Sequence, residues 1–216
     1  MTYLNLSALE ATPLVRDPFD YVIVPGFVPA ERAEAIDRDF PSISKPGSFA
    51  LDDLPITGAM EALIEALNGP DFRAAIEAKF DLDLARLPTM FTLRGVCGAH
   101  DGQIHTDSKT KVITVLLYLN QAWARDGGRL RLLRNGEDLE AVAAETPPDF
   151  GTLLLFRRSD RSWHGHKSFS GPRRVLQMNW VVSNRAANWN QFRHRLSAAV
   201  KRLSPVRVAN QRPAAD

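Results

Sequence analysis

Residues 173–182, RRVLQMNWVV, form the longest of four apolar runs in the second half of the chain. The other three are VITVLLYL at 112–119, RLRLL at 129–133 and TLLLF at 152–156. Each run is short and rich in aliphatic or β-branched residues, and turn-forming pairs such as Asn135-Gly136 separate them, so each run predicts a strand. Short strands at this spacing are typical of an all-β sandwich or barrel.

The first ninety residues instead mix helix and strand patterns. Residues 19–27 predict a strand, and residues 29–40 predict a helix that stops before Pro41. Two further helices are expected on either side of Gly69-Pro70, because apolar residues recur there at helical spacing. We expect this part to form a layer of helices over the sheet.

A last helix is predicted over residues 188–203, where an apolar stripe is surrounded by basic residues. It would pack on the parent sheet or, alternatively, form a homodimer contact. Residues 205–216 predict a disordered tail. We therefore expect one domain over residues 1–204, with a helix and strand part at 1–89, a β core at 90–183 and the final helix.

The composition is that of an ordinary globular protein, with 216 residues, 44% hydrophobic, 24% charged and a net charge of +2. This balance indicates neither a nucleic-acid nor a membrane partner. The single cysteine, Cys97, excludes an internal disulfide framework and fits a reducing compartment. With no basic leader and no apolar run of about 18 residues, we expect a cytoplasmic protein.

The chemistry is carried first by Ile104-His105-Thr106-Asp107. Residues two apart on an extended strand point to the same side, so His105 and Asp107 can reach one metal ion together. A second histidine would complete a two-His, one-carboxylate face, which suits Fe(II) because three coordination positions stay open. Either His164 or His166 could supply it from a later strand.

Arg174 strengthens this hypothesis, because it lies ten positions after His164 at the start of an apolar strand. A keto acid that chelates iron at one end needs a cation for its far carboxylate, and a guanidinium can bind a carboxylate through two parallel hydrogen bonds. Strand alternation allows only one of Arg173 and Arg174 to face the cavity. We predict Arg174, which shares its side with apolar residues of the strand.

Taken in order, HTD, TVLLYLN, GGRLRL, FGTLLLFRRSDRSWHGH and GPRRVLQMNW resemble the prolyl-hydroxylase-like branch of the Fe(II)/2-oxoglutarate dioxygenases. The resemblance covers about residues 90–183. It implies a double-stranded β-helix (jelly-roll) core buttressed by the N-terminal helices, giving an α+β fold that is mainly β. Its iron motif falls on His105, Asp107 and His164, and its basic 2-oxoglutarate residue falls on Arg174.

The resemblance implies Fe(II), 2-oxoglutarate and O2 as cofactor and cosubstrates, with ascorbate as a stimulant. The reaction would be hydroxylation coupled to decarboxylation of 2-oxoglutarate to succinate and CO2. Thr114 and Tyr118 are candidates for further cosubstrate contacts, and His166 for a pocket residue beside the metal ligands. The alternatives are a cupin-like jelly-roll metalloenzyme without 2-oxoglutarate and a non-catalytic jelly-roll binding module.

The substrate, a small molecule or a peptide, is not identified by the sequence. Arg157, Arg158, Arg161 and Lys167 crowd the approach to His164. They form either a solvated charged loop or a rim that recruits an anionic substrate.

Overall fold

The computed structural model describes residues 2–183, and the predicted C-terminal helix and tail lie outside the described residues. Two antiparallel sheets form the core, as the jelly-roll prediction required. The elements in chain order are α1 (Leu6–Ala11), β1 (Tyr21–Val24), α2 (Ala33–Asp39), β2 (Phe49–Ala50), α3 (Gly58–Leu67), α4 (Pro70–Phe80), β3 (Thr89–Cys97), β4 (Lys111–Tyr118), β5 (Leu130–Leu133), β6 (Val142–Thr146), β7 (Leu153–Arg157), β8 (His164–Gly165) and β9 (Gly171–Val181).

The larger sheet has six strands in the order β1-β7-β4-β9-β3-β2, and the smaller has three in the order β6-β5-β8. All four strands predicted from the apolar runs are present, with ends shifted by one or two residues. The predicted helix at 29–40 is a 3-10 turn over Ala30–Arg32 that continues as α2. Strands β2, β3 and β8 were not predicted individually, and neither was strand β6. Strand β6 is mostly half-exposed and pairs only with β5 in the described part of the chain, so it lacks the apolar pattern of a core strand.

One face of the larger sheet packs against the N-terminal helices. Leu176, Met178 and Trp180 of β9 lie in one apolar cluster with the buried side chains of α3 and α4. The rings of Phe72 and Trp180 lie 6.2 Å apart between their centroids. The helices therefore buttress the sheet as predicted, and none of those within residues 2–183 has the length and apolar character needed to cross a bilayer.

The other face of the larger sheet looks toward the smaller sheet. Apolar side chains fill part of this space, namely Tyr118, Leu130, Leu132, Leu154, Phe156 and Val175. Because side chains alternate along a strand, β9 sends Val175 to this face and Leu176 to the helices. Both faces of β9 are thus largely buried, and its polar residues other than Arg174 lie on the face turned toward the smaller sheet.

Candidate metal centre

His105, Asp107 and His164 offer ligand atoms that all lie within 4.8 Å of one another. His105 and His164 are joined by an isolated antiparallel bridge, in which each backbone N–H donates to the other's carbonyl at 3.0 Å. Asp107 follows two residues later, and its side chain turns back to the same point. The strand expected through these two residues is reduced to the isolated bridge at His105, although the ligand atoms of His105 and Asp107 converge as their spacing predicted.

Hydrogen bonds to the main chain orient both imidazoles. Nδ1 of His105 lies 2.8 Å from the Gln103 carbonyl, and Nδ1 of His164 lies 2.9 Å from the Ser162 carbonyl. A carbonyl oxygen can only accept, so each Nδ1 carries the proton and each Nε2 keeps a lone pair for a metal. Burial lowers the pKa of His164 to about 4, against the opposing charge of Asp107, so this imidazole is neutral at pH 7.

Asp107 is buried, with 8% of its surface exposed, and both of its oxygens are held. Lys111 donates to Oδ1 and the Thr114 hydroxyl donates to Oδ2, each at 2.6 Å. Burial would raise the pKa of Asp107, but the charge of Lys111 and these two hydrogen bonds outweigh it and hold the pKa well below its usual value. The carboxylate is therefore ionised, as a metal ligand must be.

The three residues line a cavity of about 250 Å³ between the two sheets. Its floor is the inner face of the larger sheet, where β3 contributes Thr92 and Arg94 and β9 contributes Arg173, Val175 and Gln177. On this face of β9 the buried apolar Val175 lies between the polar side chains of Arg173 and Gln177.

Arg173 lies in this cavity and is 6% exposed. Its Nε donates to the Gly128 carbonyl at 2.7 Å, and its guanidinium lies 5.3 Å from the centre of the Tyr118 ring. Nη2 is 3.5 Å from the Tyr118 hydroxyl. Arg173 is therefore a buried cation at the edge of the cavity, beside a buried phenol.

Arg174 points the other way, which corrects the predicted orientation. It forms an ion pair with Asp37 of α2, and its guanidinium lies 4.6 Å from the centre of the Phe40 ring. The prediction assumed that the cavity face of β9 carries the apolar residues. The apolar set faces the helices instead, and the set with Arg173 and Gln177 faces the cavity.

Thr114 and His166, which the sequence also predicted near the site, both line the cavity. The hydroxyl proton of Thr114 is committed to Asp107, so Thr114 holds the candidate ligand and is not a free donor for a cosubstrate. Nδ1 of His166 lies 2.8 Å from the Lys167 carbonyl, and burial lowers the pKa of His166 to about 4. Its Nε2 is 3.7 Å from the thiol of the buried Cys97.

The four basic residues near His164 do not form a rim at the cavity, which favours the solvated charged loop of the two alternatives. Arg157 and Arg161 line a separate surface pocket near Asp20. Arg158 pairs with Asp160, and Lys167 pairs with Glu140. Among these residues only Arg158 reaches the metal ligands, through a hydrogen bond from its Nε to the Asp107 carbonyl at 3.1 Å.

Sequence reasoning missed Lys111, Arg173 and Gln177. A signal for two of them was present, because Arg173, Gln177 and Asn179 place polar groups at alternating positions of an otherwise apolar strand. Lys111 had no such signal: the β4–β9 register shifts between Lys111 and Ile113, and sequence spacing does not reveal this irregularity.

Comparison with known proteins agrees with this geometry. Residues 91–182 match the family model of the 2OG-Fe(II) oxygenase superfamily. No curated protein sequence matches the chain.

Several solved structures share the fold. A prolyl-4-hydroxylase from Pseudomonas putida is 19% identical with a TM-score of 0.52, over 82% of this chain and 90% of that one. A prolyl 4-hydroxylase from Phytophthora capsici is 18% identical with a TM-score of 0.55, over 91% and 76%. The viral collagen prolyl hydroxylase of Paramecium Bursaria Chlorella virus-1, solved as a 2OG complex, is 15% identical with a TM-score of 0.54, over 78% and 99%. At these identities the likeness establishes the fold, while the family match favours the oxygenase over the cupin-like and non-catalytic alternatives.

Proposed function

We propose that this chain, whose core segment 91–182 matches the family model of the 2OG-Fe(II) oxygenase superfamily, holds Fe(II) through His105, Asp107 and His164 and the far carboxylate of 2-oxoglutarate through Arg173. The observation that carries the proposal is one cavity that contains both a two-His, one-carboxylate cluster and a buried arginine. Arg173 thus takes the place of Arg174, which the sequence predicted as the residue that binds this carboxylate.

The donor set fits Fe(II). Two imidazoles and one ionised carboxylate would hold the metal on one face and leave three positions for a bidentate keto acid and O2. When bound, the metal supplies the oxidation of the substrate coupled to decarboxylation of 2-oxoglutarate to succinate and CO2. The chain's own residues orient the ligands and keep the coordination face open.

Arg173 would fix the length and direction of the cosubstrate. A planar guanidinium can meet a carboxylate through two parallel hydrogen bonds. Tyr118, a predicted cosubstrate contact, is fully buried and is not among the residues that line the cavity, so we assign it to the support of Arg173. Between this end and the metal ligands the cavity is lined by Leu116, Leu130 and Val175. Such walls exclude water and strengthen the charge pairing.

Thr114 and Lys111 would act on the metal through Asp107. Their hydrogen bonds keep the carboxylate ionised and fix its rotation before the metal arrives. Partners of this kind typically change metal affinity about 10- to 100-fold when removed. We assign Thr114 this positioning role in place of the predicted contact with the cosubstrate.

The proposal also covers the substrate, the location and the partners of the protein. The substrate is a small molecule or a peptide, and the structurally similar prolyl hydroxylases favour hydroxylation as the reaction. A cytoplasmic location is supported by the free, buried Cys97, and the net charge of +2 supports the absence of a nucleic-acid or membrane partner. We retain one domain over residues 1–204 and a homodimer contact through 188–203 as proposals, and ascorbate as a stimulant of turnover.

Metal dependence tests the assignment of the triad. Purified protein should bind one Fe(II) or Mn(II), and with Fe(II) and O2 it should convert 2-oxoglutarate to succinate slowly even without substrate. Asp107→Ala should abolish both metal binding and succinate formation. Chelator-treated protein that still forms succinate at the wild-type rate would contradict the proposal.

A further inference from the structure

Lys111 is a buried cation at the candidate metal centre that the proposed mechanism uses only in part. It is 9% exposed and lines the cavity. Regular alternation would send Lys111 and Thr114, three residues apart on β4, to opposite faces of the sheet. The register shift between Lys111 and Ile113 cancels this, so both side chains reach Asp107. Irregularities of this kind beside a cavity re-aim a side chain toward it.

The ammonium group of Lys111 has more donors than partners. It carries three N–H bonds, and among residues 2–183 its one hydrogen bond is to Asp107. Buried donors without partners are costly, so a site that keeps them is suited to a ligand that accepts from them. The remaining donors of Lys111 lie in the cavity, next to the carboxylate that would bind the metal.

The charged side chains of the cavity indicate the sign of the charge on that ligand. Its lining holds three cationic side chains, Arg94, Lys111 and Arg173, and two carboxylates, Asp101 and Asp107. Arg94 and Asp101 neutralise each other in an ion pair of 2.6 Å. On the proposed function, on which this inference rests, the divalent metal and the dianionic cosubstrate cancel. Lys111, Arg173 and Asp107 then leave a net charge of +1 in the lining, and Lys111 is the cation that lies beside the metal ligands.

We propose that Lys111 binds a carboxylate of the substrate, so that the enzyme acts on a small monocarboxylic acid. One remaining positive charge matches a carboxylate, whereas a phosphate dianion would overcompensate it. The cavity of about 250 Å³ is already just below the usual range of about 300–1,000 Å³, and it must also hold the metal and the cosubstrate, so the room left for the substrate is small and fits a small acid. Thr92 and Gln177, neighbours across β3 and β9, add neutral hydrogen-bonding groups on the cavity floor.

The test compares acids with their uncharged isosteres. Zinc-loaded protein saturated with 2-oxoglutarate is titrated with benzoate and benzamide, and with cyclopentanecarboxylate and its amide, and binding is followed by ligand-detected NMR. A hydrogen bond to a charged group implies that each acid binds roughly tenfold or more tightly than its amide. Lys111→Met should remove this preference, and Lys111→Arg should keep it. Lys111→Gln serves as a second uncharged variant that can still donate to Asp107, in case methionine impairs folding. Lys109→Met, at an exposed lysine two residues away, is the matched control and should behave as wild type.

Three outcomes would overturn the inference. The first is equal affinity for acid and amide in the wild type. The second is a loss of 2-oxoglutarate affinity in the uncharged Lys111 variants with the acid preference intact, which would assign Lys111 to the cosubstrate. The third is a change in zinc affinity alone, which would make Lys111 only a partner of Asp107. Failure of the wild type to form an iron and 2-oxoglutarate complex would reject the proposed function instead, and a separate anaerobic titration detects it.

Discussion

Replacing Arg173 with alanine should weaken 2-oxoglutarate binding about a hundredfold to several-thousandfold and leave metal binding near the wild-type value. Arg173 is 6% exposed, so the cosubstrate carboxylate would lose a partner in a largely water-free part of the cavity. Removing one member of a buried charge pair typically costs about 3–5 kcal/mol. At about 1.4 kcal/mol per tenfold change in affinity, this cost gives the range stated.

The same substitution should destabilise the fold moderately. Arg173 donates to the Gly128 carbonyl, and its loss leaves a buried acceptor unsatisfied, which costs about 1–3 kcal/mol. This is less than the usual free energy of unfolding of about 5–15 kcal/mol, so the variant should fold. Arg173→Lys keeps the charge but loses the two-pronged donor, and we expect it to bind 2-oxoglutarate with intermediate affinity.

Arg174→Ala is the matched control, because the two arginines are adjacent and face opposite sides of β9. Arg174 is paired with Asp37 and has a side chain that is 34% exposed. Exposed ion pairs contribute up to about 1 kcal/mol to stability, and less at high salt. Its removal should leave 2-oxoglutarate affinity within about twofold of the wild type.

The assay is an anaerobic titration of each iron-loaded variant with 2-oxoglutarate, followed by the metal-to-ligand charge-transfer band. Thermal unfolding of each variant separates loss of binding from loss of fold. If Arg174→Ala lost affinity while Arg173→Ala kept it, the orientation of β9 described above would be wrong for the working enzyme. Equal 2-oxoglutarate affinity in the wild type, Arg173→Ala and Arg174→Ala would remove both arginines from the cosubstrate site.

Three further predictions concern the metal centre. His164→Ala should abolish Mn(II) binding, whereas His166→Ala should retain it; the reverse pattern in equilibrium dialysis would exchange their roles. Thr114→Val should lower Mn(II) affinity about 10- to 100-fold, since it removes one hydrogen bond to Asp107, and calorimetry showing unchanged affinity would contradict this. The metal-free protein should lose stability as the pH falls from 6.5 to 4, because the unfolded chain binds protons on His164 and His166 that the folded state excludes. Each histidine should contribute about 3 kcal/mol to that loss, and urea unfolding of His166→Gln should show a smaller change between pH 7 and 4.5 than the wild type.

Local patterns in the sequence predicted most of the fold and of the metal cluster. The apolar strands and the helices on either side of Gly69-Pro70 were predicted from the periodicity of their apolar residues, because burial of these elements requires such a pattern. His105 and Asp107 were found because their convergence depends only on a spacing of two. The choice of His164 over His166 depended on the family resemblance, and it stays a prediction until metal binding is measured.

The errors arose where the outcome depended on the neighbours of a strand. The orientation of the Arg173-Arg174 pair could not be decided from β9 alone, because helices cover one face and the cavity the other. Apolar residues were assumed to mark the functional face, but here they mark the face under the helices. Lys111 was missed because a register shift, which is a property of two paired strands, turned it toward the cavity.

The bridge between His105 and His164 has a consequence for dynamics. It ties together two segments 59 residues apart through a reciprocal pair of backbone hydrogen bonds, and the His166 N–H adds a third bond to the Gly102 carbonyl at 2.9 Å. A metal held by the two side chains would act as a removable crosslink at the same point. By mass action it would favour the state in which the bridge between His105 and His164 is formed. Breaking of this bridge and release of the metal are then expected to occur together. The rate of amide hydrogen exchange at His105 and His164 in the metal-bound protein would therefore report how long the metal stays bound.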